Sequence, residues 1–123
     1  QFYKGILNHS GRAVFNGKII VHPIAQKTNS YQLNKNLLLG KECRVDTKPQ
    51  LEIGADDVKC THGATIGQLN QDEIFYLQTR SIPKKTAIKM LAKGFIDDVL
   101  GRIPQEGIYK KMNAVLKPAF EAI

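Results

Sequence analysis

A chain of 123 residues, 42% hydrophobic and 24% charged, suits one ordinary domain and is too apolar for wholesale disorder. Its formal net charge of +7 admits nucleic acid, an anionic surface or an acidic partner. The excess is spread evenly, with 9 Lys/Arg against 5 Asp/Glu in residues 1–60 and 9 against 6 in residues 61–123, so no basic block marks a nucleic-acid footprint.

No apolar run approaches the roughly 18–20 residues needed to cross a bilayer, and QFYKGILNHS at the start lacks a signal-peptide apolar region. The absence of an initiating Met is expected of a segment of a longer polypeptide. Cys43 and Cys60 are too few for a disulfide framework, which points to reduced thiols in a cytosol-like compartment.

In chain order, residues 1–69 read as short strands and turns. Val14-Phe15 precede Asn16-Gly17, a strong turn signal, and Lys18–Val21 follow as a strand that Pro23 ends or places at a sheet edge. The polar stretch 25–30 is turn-rich, and Tyr31–Leu39 closes on Leu37-Leu38-Leu39, apolar on both faces and so expected to be buried on both. Leu37-x-Leu39-Gly40 recurs as Leu51-x-Ile53-Gly54, an echo that fits either stacked β coils of a solenoid or a small sandwich.

From Asn70 the period changes. Asn70-Gln71-Asp72-Glu73 has the form of a capped helix N-terminus, with Ile74–Leu77 expected to be well buried and an end near Arg80-Ser81. Ser81 with Pro83 is read as the start of a second helix. Ile88, Leu91, Ala92, Phe95, Ile96, Val99, Leu100 and Ile103 then recur at three- and four-residue spacing until Pro104. Tyr109–Leu116 makes a last, weakly amphipathic helix stopped by Pro118. The division expected is 1–69 for the strands and 70–123 for a helical region.

Chemistry concentrates in LEIGADDVKCTHGATIGQL, residues 51–69. Val58–His62 alternates as a strand, so Val58, Cys60 and His62 share one face, with Gly63 and Gly67 expected at turns or close backbone approaches. A thiol and an imidazole two residues apart can ligate one metal or act as nucleophile and base. The second reading lacks an orienting third group and an oxyanion device. The first lacks ligands, because two do not complete a tetrahedral site. A partner chain, exogenous thiols or sulfide would have to supply the rest. Cys43 is either a third ligand or core, His9 and His22 have no ligand-like neighbours, and Asp56-Asp57 reads as a solvated corner or a local Asx turn rather than a catalytic dyad. No phosphate-binding glycine loop, C-x-x-C or H-E-x-x-H is present. An enzyme using Cys60 and His62, and a basic nucleic-acid-binding module, stand as rivals to a metal-binding scaffold.

AQKTNSYQLNKNLLLG (25–40), PQLEIGADDVKCTHGATIGQL (49–69) and IFYLQTRSI (74–82) closely resemble the C-terminal part of the SufB/SufD family of iron–sulfur cluster assembly proteins. Tyr31-Gln32-Leu33 stands where the SufB pattern has a Thr-Gln-Cys run, and His62-Gly63-Ala64-Thr65 where it has His-Glu-Ala-Thr, so the resemblance is to the SufD branch. It implies a mainly β fold with C-terminal α structure: the last coils of a right-handed parallel β-helix over 1–69, then a helical region. It further implies a non-catalytic scaffold in a complex with a SufB-like paralogue and a SufC-like ABC ATPase. His62, with Cys60 beside it, would contribute to a nascent iron–sulfur cluster shared with the partner chain, and the helix from Ser81 to Ile103 would meet the ATPase. The setting implied is cytoplasmic, or the stroma of a plastid. A homodimer through the open edge of the β-helix is a further assembly left open.

Overall fold

The computed structural model describes residues 1–123, and the inferred order of strands followed by helices is what it contains. Five strands, β1 (Phe2–Leu7), β2 (Arg12–Val21), β3 (Asn29–Leu38), β4 (Arg44–Ile53) and β5 (Lys59–Gln68), precede α1 (Gln71–Thr79), α2 (Lys84–Leu100) and α3 (Glu106–Glu121). All five strands are parallel and form two sheets, β1-β3-β5 and β2-β4. The chain alternates between the sheets, so it returns to a given sheet after a nearly constant length. Phe2 lies opposite Leu33, and Arg12 opposite Arg44. The echo between Leu37 and Leu51 is therefore not the structural repeat; it links the end of β3 to the end of β4, which lie in different sheets.

Two compact units result, residues 1–67 and 68–123. In the first, burial alternates along β2, with Ala13, Phe15, Gly17 and Ile19 inward and Arg12, Val14, Asn16, Lys18 and Ile20 outward. The inward face of β3 is polar: Gln32, Asn34 and Asn36 are all buried. Asn36 Nδ2 donates to Asn34 Oδ1 at 2.6 Å, and Gln32 Nε2 to Gln1 Oε1 at 2.8 Å. These bonds offset much of the cost of burying amides. Tyr3 and Phe15 bridge the two sheets with ring centroids 5.0 Å apart.

Asn16-Gly17 is not a turn. Both residues lie inside β2, opposite Lys48 and Pro49 of β4, and no glycine in the chain has a positive φ. Ladder pairing with β4, a full return later in the sequence, overrides the local turn preference. Gly17 is explained by space: a Cβ there would come 2.5 Å from Gln32 Oε1 and 2.7 Å from the Phe15 ring. Gly63 and Gly67 likewise lie within β5 and not at turns. Of Leu37-Leu38-Leu39, only Leu37 is fully buried. Pro23 does follow the end of β2.

The helical unit follows its local signals at one end and departs from them at the other. Asn70 caps α1, its Oδ1 accepting from the Asp72 N–H at 2.9 Å, but only Ile74 of the Ile74–Leu77 run is buried; Phe75 and Tyr76 are exposed. Ser81 does not cap α2. It ends α1 in the left-handed region, φ 63°, where the Ser81 N–H donates to the Gln78 carbonyl at 3.0 Å and the Ile82 N–H to the Leu77 carbonyl at 3.2 Å. α2 then starts after Pro83, with no side-chain cap. α3 runs through Pro118, one turn further than expected. Pro118 costs the helix its own N–H bond, but only three helical residues follow it, and its carbonyl still accepts from the Ala122 N–H at 3.1 Å.

Two substitutions should move stability in opposite directions. Ser81→Gly relieves a left-handed conformation that costs an L-residue about 1 kcal/mol, and it should raise the unfolding midpoint accordingly. At Gly40 a Cβ would overlap the His9 carbonyl oxygen and lie 2.8 Å from the His9 nitrogen, so Gly40→Ala should destabilise by about 2 kcal/mol or more. Denaturant titration of both variants measures each effect directly.

Candidate functional site

β5 carries Cys60 and His62 at positions two apart, hence on one face and about 7 Å apart along the strand. Which face follows from β3. The Lys59 N–H donates to the Thr28 carbonyl at 2.8 Å, fixing the start of the β3–β5 ladder, and a Cβ at Gly63 would lie 3.3 Å from Leu33 Cδ1. Gly63 therefore shares a side with Leu33. Cys60 and His62 share the other, the inner side that holds Gln32 and Asn34. On β3 these inner side chains are buried, because β2 and β4 lie against them. No third strand of that second sheet follows β5, which leads instead into α1. Cys60 is consequently half-buried and His62 exposed. The pair occupies the inner face of the coil at the point where the opposing sheet has run out.

Just inside it lie polar groups without partners. Ser30 Oγ and Gln32 Oε1 are buried and accept or donate no hydrogen bond. Such atoms are costly in a protein interior. Their position on the same inner face makes the wall behind Cys60 and His62 polar rather than oily, an environment compatible with an ion or cluster.

The candidate ligands nonetheless stay at two. No group of three or more His, Cys, Asp or Glu side chains converges in a manner that could hold a metal ion. Cys43 belongs to the core: it is buried in the corner after β3 and its Sγ donates to the His9 carbonyl at 3.4 Å. That corner is at the opposite end of the strands from Cys60, about 30 Å away for a ten-residue strand. His9 takes part in the same corner with φ 57°, and His22 is exposed just past β2. Asp57 is the solvated corner residue expected. It pairs with Lys27, and its N–H donates to Gln26 Oε1 at 2.9 Å, tying two successive corners together. The buried amides of β3 escape the sequence reading; the alternation Gln32-x-Asn34-x-Asn36 is the signal that marks them.

Residues 1–95 match the family described as SUF system FeS cluster assembly, SufBD core domain. The chain belongs to this SufB/SufD family of iron–sulfur cluster assembly proteins, as the motifs of residues 25–82 led one to expect. It is 46% identical over 93% of its length to the iron–sulfur cluster assembly protein SufD of Escherichia coli, covering 27% of that protein. It is 47% identical over 85% of its length to an iron–sulfur cluster assembly SufBD family protein of Synechocystis, covering 23%, and 45% identical over 88% of its length to the chloroplastic protein ABCI7 of Arabidopsis thaliana, covering 23%. The chain spans about a quarter of the length of these curated relatives.

The two thiols differ in access, and this can be read chemically. In the folded protein a maleimide should label Cys60 well before Cys43, and His62→Ala should leave that order unchanged; peptide mapping after brief labelling distinguishes the two sites.

Proposed function

We propose that this chain is a non-catalytic scaffold segment for iron–sulfur cluster assembly, contributing His62, with Cys60 beside it, to a nascent cluster shared with a SufB-like partner chain. The observation that carries the reading is the two-ligand set on the inner face of β5, left uncovered where the β2–β4 sheet ends, in a chain of the SufB/SufD family. Iron in such clusters is held by thiolates, with imidazole replacing some of them in certain centres. An incomplete set is useful for a cargo that must leave: no single chain holds it closed, so movement at the contact between chains can release it. The half-buried thiol and exposed imidazole suit this role better than nucleophilic catalysis, since no third group orients His62.

In this reading the five strands are the last coils of a right-handed parallel β-helix. The nearly constant return and the parallel ladders support it. The helical unit, α2 onward, docks a SufC-like ATPase, whose hydrolysis cycle opens or closes the His62 face. The setting is the cytoplasm or a plastid stroma. E. coli SufD and a chloroplastic protein are among the relatives, and no helix is long and apolar enough to cross a membrane.

The test is anaerobic reconstitution of the full-length polypeptide with its SufB-like and SufC-like partners, comparing wild type with His62→Ala. Cluster absorbance and transfer to an acceptor should fall about tenfold or more while the complex stays assembled, since a metal ligand is lost outright. Unchanged cluster yield in an intact complex would make the motif structural.

A further inference from the structure

At the end of the strands remote from Cys60, two successive turns stack on one another. In the first, the Gly11 N–H donates to the Asn8 carbonyl at 3.0 Å; in the second, the Cys43 N–H donates to the Gly40 carbonyl at 3.2 Å; the Arg44 N–H then joins them by donating to the Gly11 carbonyl at 3.0 Å. The stack is locked from within. His9 is held in the left-handed region, φ 57°, by its N–H donating to Asn8 Oδ1 at 2.8 Å. Its carbonyl accepts from the buried Cys43 thiol, and Gly40 is packed against its backbone. Residues that leave these turns are therefore held in fixed relation to each other.

The side chains they present carry like charge. Arg12 and Arg44 are register partners at the start of β2 and β4, about 4.8 Å apart across the ladder, and both are exposed on the outward face. With Ser10, Lys41 and Glu42 they line a recess of about 260 Å3. Three cations thus face one carboxylate. None of the ion pairs in the structure involves Arg12, Arg44 or Lys41, and Asp46, next along the same face of β4, bonds to none of them. At the other end of the same two strands the charges are matched, Lys18 pairing with Glu52. Like charges directly opposite on a sheet are destabilising, and an anion between two guanidiniums held in register would relieve that repulsion.

We propose that this recess binds a phosphoryl-type oxyanion, free phosphate or the phosphate of a small ester, bridged by the forks of Arg12 and Arg44 with Lys41 and the Ser10 hydroxyl as further donors. Planar guanidiniums match tetrahedral oxyanions bidentately, and two from adjacent strands can share one ligand. The site is independent of the Cys60–His62 face and stands whether or not that face holds a cluster.

Calorimetric titration of the full-length polypeptide, with inorganic phosphate and separately with glycerol 3-phosphate, tests the assignment. Arg12→Gln and Arg44→Gln should each weaken binding about tenfold, Glu42→Gln should tighten it, and Lys111→Gln, on α3, should leave it unchanged. Phosphate should also raise the unfolding midpoint of the wild type but not of the double arginine variant, which shows the effect in a folded protein without relying on affinity alone. Binding of both probes assigns an ester-tolerant site and binding of phosphate alone a free-anion site; either supports the proposal. No saturable binding at millimolar phosphate, an unchanged Kd in either arginine variant, or an equal loss in Lys111→Gln overturns it.

Discussion

Parallel pairing at a nearly fixed return is the constraint on which the rest of the first unit depends. A parallel ladder cannot be closed by a tight hairpin, so each strand must wait for the chain to cross to the other sheet and return. That delay is why every corner recurs. The turn at Asn8 meets the turn at Gly40, and Gln26 meets Asp57. It is also why identical chemistry stacks: arginine on arginine, glutamine on glutamine, and, at the last strand, a histidine beside the row that Gln1 and Gln32 begin.

The same geometry explains why the face carrying Cys60 and His62 is open. Inner positions on β3 are covered by the β2–β4 sheet, where Asn36 donates to Asn34 while Ser30 Oγ and Gln32 Oε1 are left without partners. β5 inherits the inner direction without the cover. Its Cys60 and His62 are placed as core residues are placed but remain accessible, so the two candidate ligands stand on a firm backbone. The Lys18–Glu52 pair illustrates the opposite, outward face. The Lys18 ammonium, as hydrogen-bond donor and as nearby charge, holds the Glu52 carboxyl below its ordinary range. The pair's contribution is thus present above the unfolded carboxylate's pKa and lost as pH falls through the lowered folded value. Between exposed groups it is small.

Legibility in the sequence tracks how local each cause is. The Asn70 cap, the end of α1 at Arg80 and the stop before Pro23 depend on neighbours within a few positions, and each is readable. The placing of Cys60 with His62 on one face needs only strand alternation. Asn16-Gly17 misleads because its partner strand is remote in sequence and imposes an extended backbone on a dipeptide that alone would turn. Ser81 misleads because a serine in the left-handed region looks, in sequence, like an N-cap for the helix that follows. The Arg12–Arg44 pair and the openness of His62 depend on register and on where a sheet ends, and neither leaves a mark within a short window.

The return length also gives the chain something like a reading frame. Adding or removing one residue within β3 would reverse its alternation beyond that point, turning Asn34 and Asn36 outward and lysine inward. The same change at Ile24, 93% exposed in the corner after β2, alters the length of an outside bend and leaves the strand alternation intact, provided Gln26 and Lys27 keep their bonds to Asp57. The two ladders already show such a slip: Phe2 pairs with Leu33 but Arg12 with Arg44, so the second return is one position longer than the first. A corner absorbs the difference without loss of stacking. The bends can therefore take up a change in length that the strands between them cannot.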